Sequence, residues 1–317
     1  MQSILVTGGC GFIGSHLVGE LVSSGITGNV VIVDNMMMSS EDNLDKEVRD
    51  KVIIYKNDVT DRTTMSFLLQ KHRIDTVIHL AVTPLVMSIK EPAFTFNNIA
   101  GMQVSLLECQ RQGLFGRLIS FSTAEVYGDA GYGILADEKS PCRPRTTYAA
   151  AKEASDNLVF SYAATFGTQH TILRLVNNFG PRKRVLQDAG IIPTTIRRIA
   201  EKKPVVLFDT GEQTRNFLNV KDTIRATFNA LQNPDANNEL FLLADPTPRR
   251  MIDVVRDIYR LIGEEERIEY APPRMGDVES VQANPEKAKR VLNFEPKISW
   301  EEGLKECVNY YLSHELV

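Results

Sequence analysis

Short apolar runs alternate with amphipathic segments through the first half of the chain. The runs occupy residues 4–6, 30–33, 52–55, 76–80, 118–121 and 171–175. Nearly continuous apolar strands separated by helices are typical of a parallel sheet that helices cover on both faces. Residues 1–176 are therefore predicted to form an α/β domain built on a Rossmann-type doubly wound parallel sheet.

The pattern loosens in the second half of the chain. Residues 177–216 are richer in loops and charges, and 205–208 predict a short strand outside the main sheet. Residues 217–243 predict a strand, a helix and a strand that return to the first domain. Residues 244–317 predict helices at 251–262, 285–292 and 300–312. We expect 177–216 and 244–317 to form a smaller mixed α/β region that binds the substrate.

Composition narrows the class of protein. The 317 residues are 43% hydrophobic, enough for one large core and a smaller one. A net charge of −4 argues against a nucleic-acid or anionic-membrane binder, which needs a basic surface to hold phosphates. The sequence contains no apolar run of the ~18 residues that span a bilayer. We expect a soluble protein.

The cysteines indicate a reducing compartment. They are Cys10, Cys109, Cys142 and Cys307. Their scattered positions lack the paired spacing of a disulfide framework or a zinc site. We therefore expect a cytoplasmic protein with no metal.

A glycine-rich turn follows the first predicted strand and opens a helix. Its glycines are Gly8, Gly11 and Gly14, with Phe12 and Ile13 between the last two. Glycine permits a tight turn and the close approach of a pyrophosphate, and the free N–H groups at a helix start bind anions. The turn therefore predicts a dinucleotide site lined by these residues.

Asp34 ends the second predicted strand, about 20 residues beyond the last glycine. A carboxylate there accepts hydrogen bonds from the adenosine ribose. It also repels a 2′-phosphate, and residues 35–38 contain no arginine to neutralise one. The sequence therefore predicts NAD rather than NADP, with Asn35 beside the ribose. Asp58 and Val59, after the third strand, either contact the adenine or simply begin a helix.

Tyr148 and Lys152 stand four residues apart, which on a helix places both side chains on one face. A neighbouring cation favours the phenolate, so we expect Lys152 to lower the pKa of Tyr148. Tyr148 would then take a proton from a substrate hydroxyl while hydride leaves for the nicotinamide. Ser122 and Thr123 follow the fifth strand, where hydroxyls are expected to face the ligand crevice. Thr123 would hold the same substrate oxygen.

Together these motifs resemble the extended short-chain dehydrogenases/reductases of the NAD-dependent nucleotide-sugar epimerase/dehydratase family. Further matches follow in order along nearly the whole chain. They are His79-Leu80-Ala81, Asn98, Thr123-x-Glu125-Val126-Tyr127-Gly128, Arg174-x-x-Asn177-x-Phe179-Gly180-Pro181, Gly211-x-Gln213-Thr214-Arg215-x-Phe217, Arg274-x-Gly276-Asp277 and Glu301-Glu302-Gly303-Leu304. The resemblance implies tightly held NAD and oxidation of the sugar C4 hydroxyl, with Thr123, Tyr148 and Lys152 as the hydride-transfer set.

The resemblance implies further contacts and an assembly. The residues implied to contact NAD besides the turn are Leu80, Ala81, Asn98, Ser122, Tyr148 and Lys152. The residues implied to hold the nucleotide-diphosphate sugar are Thr83, Thr123, Asn177, Arg182, Arg215 and Arg274, the last two at the phosphates. A homodimer is also implied, with helices around 94–110 and 148–160 forming a four-helix interface. His79, which ends an apolar strand, is interpreted as structural.

Glu125 bears on the reaction that follows oxidation. In the family that the chain resembles, 4-epimerases usually have a small neutral residue at this position, whereas dehydratases and decarboxylases have a carboxylate. A ketone at C4 acidifies the C5 proton, and Glu125 would remove that proton before oxygen leaves C6. The favoured prediction is a nucleotide-sugar 4,6-dehydratase.

Several other functions stay open. Ala124 stands where dTDP-glucose 4,6-dehydratases have an aspartate, so either Glu125 performs both proton transfers or the reaction differs. Uronate decarboxylation is less favoured, because residues 188–193 lack the arginine that such enzymes tend to have. A 4-epimerase and a non-catalytic NAD-binding sensor or scaffold also stay open. A sensor would have no need of Thr123, Tyr148 and Lys152.

Overall fold

The computed structural model describes residues 2–129, 135–183, 190–273, 276 and 278–314. Its strands are β1 (Gln2–Thr7), β2 (Thr27–Asp34), β3 (Ile53–Lys56), β4 (Thr76–His79), β5 (Arg117–Thr123), β6 (Leu135–Ala136), β7 (Gln169–Leu175), β8 (Asn177–Phe179), β9 (Val205–Phe208), β10 (Thr214–Asn219), β11 (Glu239–Leu243), β12 (Pro248–Arg250), β13 (Ile268–Ala271) and β14 (Ser280–Ala283). Its helices are α1 (Phe12–Ser24), α2 (Lys46–Arg49), α3 (Arg62–Lys71), α4 (Leu85–Lys90), α5 (Pro92–Arg111), α6 (Thr147–Phe166), α7 (Ile191–Ala200), α8 (Val220–Gln232), α9 (Met251–Ile262), α10 (Glu286–Leu292) and α11 (Trp300–Ser313).

Seven parallel strands form the main sheet, in the order β11-β7-β5-β4-β1-β2-β3. The predicted doubly wound α/β fold is therefore confirmed. The chain reverses its direction of growth between β1 and β4, and ligands of such sheets bind outside the carboxyl ends of the strands at that point. Three predicted site elements lie at this edge, on neighbouring strands. The glycine-rich turn follows β1, Leu80 follows β4, and Thr123 ends β5.

Strand alternation gives the sheet two buried faces. Leu5 packs on one face with Leu106 of α5, whereas its neighbours Ile4 and Val6 pack on the other with Leu17 of α1. A third core, around Ile196, Val255 and Leu304, joins α7, α9 and α11. None of the helices in the described ranges is long and apolar enough to cross a bilayer.

The segment 217–243 divides between the two parts of the fold. Helix α8 packs against α1, and β11 completes the edge of the main sheet. Strand β10, by contrast, pairs with β8, β12 and β14 in a second, mixed sheet. The predicted strand at 205–208 does lie outside the main sheet, where β9 pairs with β13.

Candidate active site

The glycine-rich turn is shaped by contacts that exclude side chains. Gly8 has a φ of +69°, and a Cβ there would lie 2.8 Å from the Ala81 backbone nitrogen. Helix α1 begins after Gly11 without a side-chain cap. Its first-turn N–H groups therefore have no acceptor within the helix and point toward the space above the turn. This cradle fits a pyrophosphate.

Gly14→Ala is expected to lower the free energy of unfolding by about 1–3 kcal/mol and to weaken NAD retention. A Cβ at Gly14 would collide with the Gly8 carbonyl and lie 2.8 Å from the Gly9 Cα. Gly19 of the same helix has no heavy atom within 4 Å of an added Cβ. Gly19→Ala is thus the matched control and should stabilise the chain by about 0.5–1 kcal/mol. Urea unfolding and the NAD content of purified protein measure both effects; equal behaviour of the two variants would contradict this explanation of the turn.

Asp34 lies buried beneath the predicted ribose position. Its carboxylate accepts hydrogen bonds from the Cys10 amide at 3.0 Å, the Met36 amide at 3.0 Å and the Ser39 hydroxyl at 2.7 Å. These donors hold both carboxylate oxygens in place and leave lone pairs for further donors. The geometry fits a residue that accepts bonds from ribose hydroxyls.

Asn35 and Asp58 are joined across the ends of β2 and β3. The Asn35 amide donates to Asp58 at 3.0 Å, and Asp58 also accepts from the Thr60 amide and hydroxyl. Asp58 thus orders the turn before α3, while Val59 is buried in the core. A contact of these residues with adenine stays a prediction.

The end of β4 is held to the end of β1. The Leu80 amide donates to the Thr7 carbonyl at 3.1 Å, and the Ala81 amide donates to the Thr7 hydroxyl at 3.3 Å. His79 shares a 2.7 Å hydrogen bond with the same hydroxyl. Burial lowers the pKa of His79 to about 3, and the Lys152 charge contributes to the lowering. A neutral, fully enclosed imidazole agrees with the structural interpretation of His79.

Thr83 and Asn98 contact each other. The fully buried Thr83 hydroxyl donates to the Asn98 side-chain oxygen at 2.7 Å. This bond ties the segment after β4 to helix α5. A direct contact between Thr83 and the sugar would need this segment to shift, and the predicted contact of Asn98 with NAD stays a prediction.

Helix α6 presents the Tyr148 and Lys152 pair. Thr146 caps the helix by accepting a hydrogen bond from the Ala149 amide at 3.1 Å. The Lys152 ammonium is buried and donates to the Phe121 carbonyl of β5 at 2.7 Å. Burial lowers the pKa of Lys152 to about 8, against the opposing charge of Asp156. Lys152 is thus held against β5 with its titration close to neutral pH.

The prediction that the pKa of Tyr148 is lowered is wrong for the protein without ligands. Burial raises the pKa of the phenol, and the negative charges of Glu125 and Asp156 raise it further. Lys152 does not reverse this rise, and its ammonium donates to the Phe121 carbonyl. Tyr148 is consequently a neutral phenol unless a bound cofactor or substrate changes its surroundings.

Thr123 and Glu125 lie at the carboxyl end of β5. The buried Thr123 hydroxyl accepts from the Glu125 amide at 3.2 Å and so caps the 3₁₀ turn Ala124–Tyr127. Its own hydrogen remains available for a substrate oxygen. The charge of Glu125 raises the pKa of Tyr148. Glu125 therefore belongs to the same electrostatic environment as Tyr148.

The prediction that the Ser122 hydroxyl faces the crevice is wrong. Successive residues of a strand point to opposite faces, and the buried Ser122 hydroxyl donates to buried Asp156 at 2.8 Å. Asp156 also pairs with Arg174 at 2.9 Å, and Arg174 donates to the Tyr127 hydroxyl at 2.7 Å. The motifs assigned no role to Asp156, although it follows Lys152 by one helical turn.

Of the remaining predicted substrate-binding residues, Asn177 and Arg215 lie on the second sheet and Arg182 follows β8. Asn177 is exposed on β8, beside Phe217 of β10. Arg215 of β10 is nearly buried and donates to the Thr214 carbonyl at 2.8 Å. Arg182 forms a 2.7 Å ion pair with Asp45, an exposed contact of the kind that contributes about 0–1 kcal/mol. Arg274 lies outside the described residues, as do residues 188 and 189 of the segment compared with uronate decarboxylases.

Known proteins resemble this chain along most of its length. The NAD dependent epimerase/dehydratase family profile matches residues 4–244. The chain is 30% identical to the UDP-N-acetyl-alpha-D-glucosaminuronate decarboxylase of Bacillus cytotoxicus, over 97% of each protein. It is also 30% identical to dTDP-glucose 4,6-dehydratase 1 of Escherichia coli, over 99% of this chain and 93% of that protein.

The fold comparison agrees. The crystal structure of the UDP-glucose 4-epimerase of Thermotoga maritima with UDP-glucose superposes with a TM-score of 0.92 at 30% identity, over 98% of this chain and 99% of that one. The glycine cradle and the buried Asp34 fit NAD as the cofactor. By profile, sequence and fold, the chain belongs to the NAD-dependent epimerase/dehydratase family of enzymes.

Proposed function

We propose that this protein oxidises the C4 hydroxyl of a nucleotide-diphosphate sugar and then removes water across C5 and C6, as a nucleotide-sugar 4,6-dehydratase. The observation that carries the second step is the position of Glu125. Glu125 lies two residues after Thr123, in the turn that follows β5. Its negative charge raises the pKa of Tyr148. A site with a phenol and a carboxylate can perform two separate proton transfers.

The first step needs a proton acceptor at the C4 hydroxyl. Bound NAD would supply the hydride acceptor for this oxidation and the donor for the final reduction. Tyr148 takes the hydroxyl proton, Thr123 donates to the same oxygen, and Lys152 contributes positive charge from one helical turn away. Because the pKa of Tyr148 is raised, the phenol is neutral without ligands. We propose that the phenolate forms only when cofactor and sugar are bound.

The second step moves a proton from C5 to the leaving oxygen. Glu125 takes the C5 proton, the C5 electron pair forms the C5–C6 double bond, and the C6 hydroxyl departs as water. The departing oxygen needs a proton, and buried Ala124 has none to give. We propose that Glu125 delivers the proton that it removed from C5, so that water leaves without a second acid. The hydride returned to C6 then requires a new proton at C5, which Glu125 supplies after it is reprotonated from solvent, while Tyr148 releases to solvent the proton that it took from the C4 hydroxyl.

Two related reactions begin with the same C4 oxidation. The relative from Bacillus cytotoxicus is named a decarboxylase, and the Thermotoga maritima structure is that of a 4-epimerase. Decarboxylation would need a C6 carboxylate on the sugar, and epimerisation would leave Glu125 without a proton to move. A non-catalytic NAD-binding sensor is disfavoured because it would need neither the Thr123 hydroxyl at the end of β5 nor the Tyr148 and Lys152 pair on α6.

A panel of UDP-, dTDP-, CDP- and GDP-sugars, including uronic acids, distinguishes these reactions by mass spectrometry. Dehydration predicts a product that has lost one water. Loss of carbon dioxide would replace the proposal by decarboxylation, and a changed sugar of unchanged mass would replace it by epimerisation. If no sugar is converted by NAD-loaded protein, the sensor becomes the better explanation.

The remaining assignments concern binding and assembly. We propose that residues 177–216 and 244–317 bind the nucleotide-sugar and that Arg215 and Arg274 hold its phosphates, because bidentate arginine suits phosphate. We also propose a cytoplasmic homodimer. Helices α5 and α6 pack together and expose Phe94, Val104 and Phe160, at 45%, 37% and 39%. Light scattering tests the dimer, and a particle with the mass of one chain would contradict it.

A further inference from the structure

A buried polar network joins the elements that carry the proposed catalytic residues. The Arg174 side chain of β7 donates through Nε to Asp156 at 2.9 Å and through a terminal nitrogen to the Tyr127 hydroxyl at 2.7 Å. Asp156 also accepts from the Ser122 hydroxyl at 2.8 Å. All four residues are at most 6% exposed. The network therefore joins β5, the turn after it, α6 and β7 without contact with bulk water.

Each end of the network lies close in sequence to a proton-transfer residue. Tyr127 belongs to the 3₁₀ turn that carries Glu125, two residues earlier. Asp156 lies on α6, one helical turn after Lys152 and two after Tyr148. Arg174 is consequently the bridge between the turn that carries one acid–base group and the helix that carries the other.

The chemistry of the bridge favours a fixed geometry. The planar guanidinium presents donors in fixed directions, and its central carbon also lies 5.0 Å from the centre of the Tyr127 ring. A buried charge that loses a partner costs far more than an exposed one, so the chain resists any movement that separates these groups. The charged and titratable groups around Asp156 are Arg174, Lys152, Tyr148, Tyr127 and Cys142.

We propose that Tyr127, Arg174 and Asp156 are positioning residues that hold the turn carrying Glu125 at a set distance from Tyr148 and Lys152, whereas Thr123 is held by its place in β5. None of the three needs to touch the sugar. Their effect is to keep Glu125 aligned for the C5 proton after Tyr148 has acted at C4. This inference rests on the proposed role of Glu125 as the second proton-transfer group.

Tyr127→Phe tests the bridge, because it removes the hydroxyl that Arg174 contacts and keeps the ring. We expect C4 oxidation within about twofold of wild type and loss of the water-elimination product by about 10- to 100-fold, the scale of a small misplacement. The NAD-loaded protein is mixed with UDP-glucose or dTDP-glucose. Absorbance of reduced nicotinamide then reports oxidation, and mass spectrometry reports elimination.

Tyr259→Phe is the matched control. Tyr259 is as buried as Tyr127, at 3%, and its hydroxyl donates to the Arg267 carbonyl at 2.8 Å in the third core. It should leave both steps unchanged. Amide hydrogen exchange of the NAD-loaded proteins gives a readout that needs no substrate. We expect about tenfold faster exchange in the turn Ala124–Tyr127 for Tyr127→Phe alone.

The outcomes separate this inference from the proposed function. If the wild type converts no sugar with loss of water, the proposed function fails. If Glu125→Gln eliminates water at the wild-type rate, the proposed role of Glu125 and this inference both fail. The positioning role alone fails if Glu125→Gln blocks elimination but Tyr127→Phe impairs neither step or impairs both equally. It also fails if the amides of the turn Ala124–Tyr127 exchange in Tyr127→Phe as fast as in wild type. If Tyr127→Phe does not fold, Arg174→Lys replaces it. Lysine keeps the positive charge beside Asp156 but lacks the second guanidinium nitrogen that reaches Tyr127. We expect the same result, normal C4 oxidation with loss of elimination.

Discussion

Tyr148→Phe is expected to reduce turnover by about 10²–10⁴-fold, the range that a positioned acid–base group contributes, while the protein keeps its NAD. The substitution removes only the phenol oxygen. The cofactor cradle depends on Gly8, Gly14 and Asp34 and is left intact. Turnover is measured on the converted nucleotide-sugar, and NAD content by its release from denatured protein.

Tyr162→Phe controls for the loss of a tyrosine hydroxyl on the same helix. Tyr162 donates to Glu108 at 2.7 Å, on the side of α6 that packs against α5. Its substitution should leave turnover near that of wild type. If Tyr148→Phe also turned over normally, the phenol would not be the proton acceptor, and the catalytic assignment of this site would fall.

Glu125→Gln should separate the two halves of the reaction. Oxidation at C4 continues because Thr123, Tyr148 and Lys152 are retained, and removal of a negative charge lowers the pKa of Tyr148 toward its ordinary value. Elimination of water falls by about 10²–10⁴-fold, because the amide cannot accept the C5 proton. In heavy water, the variant should therefore fail to exchange the C5 hydrogen that the wild type exchanges.

Glu125→Asp is the companion variant. It retains a carboxylate that is shorter by one methylene group, and it should recover part of the exchange at C5. Wild-type elimination by Glu125→Gln would show that the carboxylate is not the base. Another group would then have to take the C5 proton during elimination.

The fold and the cofactor cradle could be predicted because their signals are local. Each signal lies within a short stretch of sequence. The signals are the alternating apolar runs, the glycine spacing from Gly8 to Gly14, and Asp34 at the end of a strand. Hydrophobic periodicity does not say which sheet a strand joins. For this reason the sequence pattern placed residues 217–219 with the first domain, whereas in the structure β10 pairs with strands of the second sheet.

The electrostatics of the site depend on contacts between distant parts of the chain. Helical spacing correctly placed Tyr148 and Lys152 on α6, but it could not show that the Lys152 ammonium bonds to Phe121 of β5. The same limit hid the bridge from Arg174 to Asp156 and Tyr127. Sequence separation, rather than a weak motif, explains the incorrect direction predicted for the Tyr148 pKa.

The central claim is that a sugar C4 hydrogen leaves as hydride while Tyr148 takes the hydroxyl proton. The most direct test uses a nucleotide-sugar that carries deuterium at C4, with wild type and Tyr148→Phe compared by mass spectrometry and NMR. We expect a dehydrated product that retains the deuterium at C6, and no such product from the variant. Deuterium lost to water, or deuterium still at C4 in a product that Tyr148→Phe forms equally well, would contradict the claim.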